Sequence, residues 1–451
     1  MWNDTVITLL ATCVAVVGVP ATAKADLVTD WNTIAVSTVP GDAVVNRQTR
    51  AMAMVHAAMF DAMNAIRPQY SAALVTIGDI QGHASREMAG AQAAHDVLVA
   101  LFPAKKAQLD ANLAATAVQI PNDPPKGKQP KAKGIAAGQQ AAAAVLALRA
   151  NDHAFEVTPY VQQPAGPGVY QFTPGCTAAN MSVPGFGKVT PFTLPDPDAF
   201  PLPSHPSASD PQFLADLAET RDYGSSNSTV RTADQTNIGL FFIETSVSAE
   251  NRLARTLVGQ EPVQTNHSHA AKQLLAHARL FAAMNISHAD TYVRTWRSKY
   301  GNNFWRPYTA IRAVFGDTTW TPLRQTPCHP EFFAAHGTLT SAGLTAIQNY
   351  FGDAVSVDAT STSLVGVTRH YTSLNRYIED VNSARIYAGF HYRSTMQRSN
   401  VLGRAVANWV NDNMMVPLEH DDDDGEGGSD GHYQGQPVHD DYDGSNDESE
   451  D

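Results

Sequence analysis

Apolar residues recur at intervals of three and four along most of this chain, the period of a buried helix face. From Arg50 to Ile66 the positions Met52, Val55, Met59, Met63 and Ile66 keep that spacing. Ala84 to Phe102 repeats it and stops before Pro103, and Lys131 to Ala150 is alanine-rich and strongly helix-prone. Further runs span Thr236 to Thr245, Ala270 to Tyr300, Leu339 to Phe351, Leu374 to His391 and Met396 to Met415. Convincing alternating strands are absent. The expectation is an all-α bundle protein.

One internal stretch breaks the pattern. Residues 159–211 hold 12 prolines, which no long helix tolerates, so they read as a loop segment covering a packed scaffold and lining the entrance to its site. At the far end, Glu419 to Asp451 carries 14 acidic and no basic residues. The chain's net charge of −13 is therefore a property of this tail, and the rest is close to neutral. The tail is expected to be disordered and solubilising; the alternative is binding of divalent cations or a mineral surface, helped by His420, His432 and His439. With 43% hydrophobic residues in 451 and no repeat period, residues 26–418 are enough for a large folded domain.

Val6 to Val19 is apolar but too short to span a membrane, and Ala-Thr-Ala-Lys-Ala follows Pro20. Residues 1–25 thus read as a signal peptide cleaved near Ala25, which implies a secreted, extracellular or periplasmic protein. Asn3 and Asp4 stand where a basic residue is usual, and a buried N-terminal helix is the alternative. Cleavage would remove Cys13 and leave Cys176 and Cys328, which permit one disulfide while their spacing leaves the pairing open. Asn180, Asn227, Asn266 and Asn285 each open an Asn-x-Ser/Thr sequon.

The chemistry concentrates between Trp296 and His391. Lys299 and Arg306 are seven apart, so one helix face could present both, and Pro307 favours a fresh helix start beyond Arg306. His336 and Gly337 precede an apolar run, which puts their backbone N–H groups near a helix N-terminus, a natural anion site. Arg385 and His391 close another helical run. Each feature alone is common, and buried histidines are often plain core residues. Together, three cations, a helix start and two histidines suit a tetrahedral oxyanion.

In order, these residues resemble a known signature. Lys299-x6-Arg306-Pro307, then Phe333-Ala334-Ala335-His336, then Ala384-Arg385-x5-His391 is similar to the motif set of the vanadium haloperoxidase and type 2 phosphatidic acid phosphatase superfamily. The text around His329-Pro330-Glu331-Phe332, and the early segment from Arg50 to Ala65, resemble its exported haloperoxidase-related branch. The resemblance covers most of residues 45–415. It implies a helical bundle of that type, built as one bundle or as two four-helix-bundle halves. It also implies vanadate as cofactor, hydrogen peroxide as co-substrate, and a halide with a small organic acceptor as partners.

Carried onto this sequence, the resemblance gives Lys299, Arg306 and Arg385 the oxyanion's equatorial oxygens, with the backbone N–H of Ala335 as a further donor. His391 becomes the axial vanadium ligand, or the nucleophile of a phosphatase, and His336 the acid–base group. Trp296 and His329 fall at the halide side, and a histidine at 329 leans toward bromide or iodide. Two motif serines are replaced, by Ala334 and Ala384. Losing one hydrogen bond to a charged group costs about 1.5–3 kcal/mol, which weakens oxyanion affinity without removing the cations.

Other features carry less. His267 and His269 lack a third metal ligand at useful spacing, and Glu331 beside His329 forms no His-Glu-x-x-His motif. Ser341 and Ser373 have no nucleophile-elbow glycines, and a near-neutral fold argues against nucleic acid. Three readings stand: a secreted vanadate-dependent haloperoxidase, a soluble acid phosphatase using a phosphohistidine, and a non-catalytic secreted scaffold binding cations through its tail.

Overall fold

The periodic runs fold as helices in the computed structural model, which describes residues 26–78, 80, 83–120, 130–196, 198–200, 205 and 207–419. The signal-peptide reading of residues 1–25, and the readings of the tail beyond Glu419, lie outside these residues. The first helices are α1 (Leu27–Thr38), α2 (Val45–Ile66), α3 (Arg86–Leu101), α4 (Lys106–Gln119) and α5 (Pro130–Leu148). After the Pro-rich segment come α6 (Pro211–Gly224), α7 (Ala233–Phe241), α8 (Ser246–Val258), α9 (His267–Asn302) and α10 (Pro307–Phe315). The chain continues with α11 (Ala335–Phe351), β1 (Ala354–Thr360), β2 (Thr368–Ser373), α12 (Leu374–Tyr387) and α13 (Arg393–Asn413). The fold is that of an all-α protein with one small sheet.

Helix α9 is the spine. At 36 residues it is about 54 Å long, and it packs against α2 on one side and α11 and α13 on the other. Helices α2, α3 and α5 pack mutually; α2 is buried almost all round, as its alanine and methionine content allows. In the second half α11 and α13 approach so closely that a Cβ at Gly403 would collide with the Thr338 carbonyl oxygen and the Ser341 hydroxyl. That contact seats the start of α11 beside α13. Asn251 and Asn285 exchange side-chain hydrogen bonds of 3.0 and 3.1 Å between α8 and α9. Asn285 is 0% exposed, so this sequon cannot accept a glycan in the folded protein.

The hairpin corrects the expectation that strands are absent. β1 and β2 pair antiparallel with Val357 opposite Tyr371, and a bulge falls between Ala354 and Val357. Val357, Ala359 and Tyr371 face the helices while alternate positions face outward. Two short strands with one wet face give too brief an alternation to stand out in sequence. Two readings of helix extent also change. Lys299 and Arg306 do not share a helix face, because α9 ends at Asn302 and Asn303 turns left-handed at φ +48°. His391 lies beyond α12, which stops at Tyr387 before Gly389 turns the chain at φ +78°.

Described residues of the Pro-rich segment pack onto the helices. The buried Asp290 carboxylate on α9 accepts from the backbone N–H groups of Phe192, Thr193 and Leu194. Arg149 donates to the carbonyls of Thr190 and Pro191. A disulfide joins Cys176 to Cys328 across 152 residues, resolving the pairing that spacing left open. His267 and His269 are exposed at the start of α9, and no cluster of three metal-ligating side chains occurs among the described residues. Among the same residues no helix is long and apolar enough to cross a membrane.

In the first third of α9, His277 bridges Asp26, the N-cap of α1, and Glu261. Burial works against its charge, but hydrogen bonds and attraction from the two carboxylates outweigh it and push its pKa up to about 9. A histidine raised above its unfolded value contributes stability that is complete below about pH 6.5 and lost as pH climbs through about 9. His277→Gln is therefore expected to cost about 1–3 kcal/mol at pH 6 and much less at pH 10, measured by urea unfolding at both.

Candidate active site

Three chain breaks converge at one end of the second half. The end of α9 carries Trp296 and Lys299, and the left-handed Asn303 sends the chain to Arg306, the N-cap residue of α10. The 327–334 loop carries His329 and Glu331 and delivers the chain to α11 at Ala335. The turn at Gly389 brings His391 back against Arg306 ahead of α13. Helix ends and the loops that join them supply these positions.

Lys299 and Arg306 are both 0% exposed. The ammonium Nζ donates to the Pro330 and Glu331 carbonyls at 3.1 and 2.9 Å, which leaves one of its three donors. In Arg306, Nε donates to the His329 carbonyl at 2.9 Å, Nη1 to the Phe390 carbonyl at 3.0 Å and to His391 Nε2 at 3.2 Å. Its Nη2 donates to His329 Nδ1 at 2.9 Å. Arg385 differs: Nη1 donates to the Phe242 carbonyl at 2.9 Å, while Nε is buried with no partner.

An arginine can only donate, so His391 Nε2 accepts and its proton sits on Nδ1, which donates to Glu331 Oε1 at 2.8 Å. The other Glu331 oxygen accepts from the Thr395 hydroxyl at 3.2 Å. Glu331 escaped the sequence reading, which considered it only as part of a zinc motif. Its signal was a carboxylate placed among the cations of the motif set. His336 Nε2 donates to the Glu244 carbonyl at 2.9 Å, which leaves Nδ1 as a lone pair. The Glu244 side chain is held in turn by Arg252 on α8 and by Thr362 in the loop between β1 and β2. The hairpin missed in sequence thus braces the segment that orients His336 and Arg385.

The charges are unbalanced. Burial, then the neighbouring Arg306 and Arg385, hold the Lys299 ammonium well below its usual range even though Glu331 opposes them. Burial and Arg306 bring Arg385 down to about 9. Burial pushes the Glu331 carboxyl up to about 7 against the pull of Lys299 and Arg306. Burial and the cations hold His391 and His329 well below 6.5, and His336 falls to about 3 through burial, Arg385 and Lys299. Three cations face one carboxylate, so the arrangement lacks negative charge.

A cavity of about 460 Å³ opens onto this cluster. Trp296, His329, Ala335, His336, Arg385 and His391 line it; Lys299 and Arg306, both fully buried, do not. The His329 ring sits 5.1 Å from that of Trp296. Ala335 opens α11 with no side-chain cap, so the first N–H groups of that helix remain available to an anion. The Pro-rich segment contributes Asn180 to Val183 to the mouth, and the disulfide places Cys328 there. Ala334 has no hydroxyl to offer. Ser399 Oγ accepts from its backbone N–H at 3.0 Å instead.

Residues 279–419 match the family model of the VCPO second helical-bundle domain. Among solved structures, the chain is similar to the first bacterial vanadium-dependent iodoperoxidase at 20% identity, over 87% of this chain and 97% of that one, with a TM-score of 0.70. It is also similar to a bacterial vanadium-dependent chloroperoxidase, at 16% identity in the apo form and 15% in the holo form. These cover 82% and 88% of this chain, and 92% and 94% of those, both with a TM-score of 0.61. No curated protein sequence matches it. The fold is therefore that of the vanadium haloperoxidases, and the superfamily resemblance read from the motifs is borne out.

A built anion site predicts a simple response. Inorganic phosphate is expected to raise the thermal unfolding midpoint of the protein, with the logarithm of its concentration once the site is filled, and Arg385→Ala to abolish that rise. An equal rise in the variant would remove Arg385 from the site.

Proposed function

We propose that this chain is a vanadate-dependent haloperoxidase that oxidises iodide or bromide with hydrogen peroxide, X⁻ + H₂O₂ + H⁺ giving HOX and H₂O. The observation that carries the reading is the unpartnered Arg385 Nε beside an uncapped helix start, in a cluster of three cations with one carboxylate. That donor set fits a tetrahedral oxyanion. The halide preference rests on His329 and on the likeness to an iodoperoxidase.

In this reading Lys299, Arg306 and Arg385 would hold the oxyanion's oxygens with the N–H of Ala335, and His391 Nε2 would be the protein's ligand to vanadium. That nitrogen is the one that accepts from Arg306 Nη1 at 3.2 Å. Vanadate, when bound, supplies a Lewis acid that polarises peroxide for halide attack without changing oxidation state. Glu331 keeps the proton of His391 on Nδ1, so that Nε2 presents its lone pair. His336 is neutral at physiological pH, and its Nδ1 is the base that takes a proton from incoming peroxide. An anion in the cradle offsets Arg385 and Lys299, two of the causes of its low pKa, and so makes it a stronger base. Trp296 and His329 border the halide. We read the protein as exported, which agrees with a disulfide at the site's mouth.

The test titrates oxyanion-free protein with vanadate in two arms, bromide- or iodide-dependent halogenation with hydrogen peroxide, and hydrolysis of an aryl phosphate. Halogenation is expected to appear with vanadate and to fall about 10²–10³-fold in both His391→Ala and Lys299→Ala. Phosphate hydrolysis inhibited by vanadate would instead make His391 a phosphohistidine nucleophile. Silence in both arms would leave the scaffold reading.

Glu331→Gln is expected to weaken vanadate binding about 10–100-fold while the protein stays folded. Unchanged affinity would reduce Glu331 to a packing role.

A further inference from the structure

We infer that this chain oxidises its own dithiol: Cys328 is the nucleophile that the released hypohalous acid meets first, and Cys176 is the thiol that resolves it into the disulfide. The inference rests on the haloperoxidase reading of the same site.

Position is the first argument. Cys328 is half-buried and lines the cavity at its mouth, whereas Cys176 is 6% exposed and does not line it. An outer sulfur backed by an inner one is the arrangement of an attacking and a resolving thiol. Cys328 also stands immediately before His329, whose ring and carbonyl accept from Arg306. Product leaving the cradle therefore passes it. Among the described residues the cavity is lined by one other sulfur, that of Met181. Met181 is 7% exposed, and its Sδ lies 3.7 Å from the hydroxyl of the buried Tyr170, turned from the cavity. The rings of Tyr292 and Trp296 are harder nucleophiles than a thiolate.

The two sulfurs are neighbours for reasons besides the bond between them. The Ser182 N–H donates to the Cys328 carbonyl at 2.9 Å, and Gln325 Nε2 donates to the Pro174 carbonyl at 3.2 Å. The Ser182 carbonyl accepts from Trp296 Nε1 at 3.0 Å and from the Tyr300 hydroxyl at 2.6 Å, which ties the same segment to α9. These contacts keep the mouth assembled over the cradle when the thiols are reduced. The chemistry then balances in two steps. In Cys328–SH + HOX giving Cys328–S–X + H₂O, the S–X bond forms, O–X breaks, and the thiol proton leaves with the hydroxide. The Cys176 thiol then attacks that sulfur, the S–S bond replaces S–X, and X⁻ and a proton depart. Two thiols supply the two electrons, and the halide returns unchanged in number.

The test starts from full-length protein reduced with dithiothreitol, freed of reductant, and given vanadate, hydrogen peroxide and iodide. Free methionine in excess consumes hypohalous acid that escapes. Peptide mass spectrometry is expected to show the Cys176–Cys328 link re-forming, and omission of iodide or of vanadate to abolish it over the same time. Reduced, isotope-labelled His391→Ala protein in the same tube is expected to stay open. In Cys176→Ser, halogenation is expected to persist while Cys328 gains oxygen as a sulfenic or sulfinic acid, again only with iodide and vanadate present. Closure at the same rate without iodide, closure of both chains alike, or sulfoxide at Met181 with Cys328 untouched would overturn the inference. If oxidised protein halogenates but the reduced chain stays open, the haloperoxidase reading stands and the inference falls. If oxidised protein gives no halogenation with vanadate, the reading falls and takes the inference with it.

Discussion

Everything at the site follows from the difficulty of keeping three cations dry at one point. Lys299, Arg306 and Arg385 are buried, and a buried charge is tolerated only with partners. The fold meets this demand with backbone carbonyls from three loops and a single carboxylate, Glu331. That supply is incomplete. The remaining deficit of negative charge is what the proposed anion would fill, and the same field lowers the pKa of the surrounding histidines.

Stability elsewhere makes this local strain tolerable. The long α9 is packed from both sides, and the close approach of α13 to α11 fixes where α11 begins. Loops then work as braces. Glu244 is held by Arg252 and Thr362, and its carbonyl and that of Phe242 orient His336 and Arg385. The Pro-rich layer closes the mouth, anchored by Asp290, Arg149 and the Cys176–Cys328 disulfide. A mouth built from such a layer can change its lining without disturbing the helices beneath.

The bundle was legible because helix formation is announced locally, by apolar periodicity and by Pro and Gly at the ends. Residues 50–66 and 270–300 fall within α2 and α9. Fresh helix starts after Arg306 and near His336 were readable for the same reason. The reading went astray where local text is ambiguous. One helix face for Lys299 and Arg306 was permitted by spacing and prevented by the left-handed turn at Asn303; the hairpin was too short to register.

By itself, then, the sequence determined the helical spans and the residue types brought to the cradle, since both are written in period, turn chemistry and motif order. The tertiary structure decided which donors remain free and which nitrogen of His391 and of His336 carries the proton. It also decided that Glu331 serves His391. Those outcomes depend on contacts between segments distant in the chain, 60 residues apart for Glu331 and His391 and 152 for the disulfide. No local pattern encodes such contacts, because they exist only once separate helices have packed and left some polar atoms satisfied and others waiting.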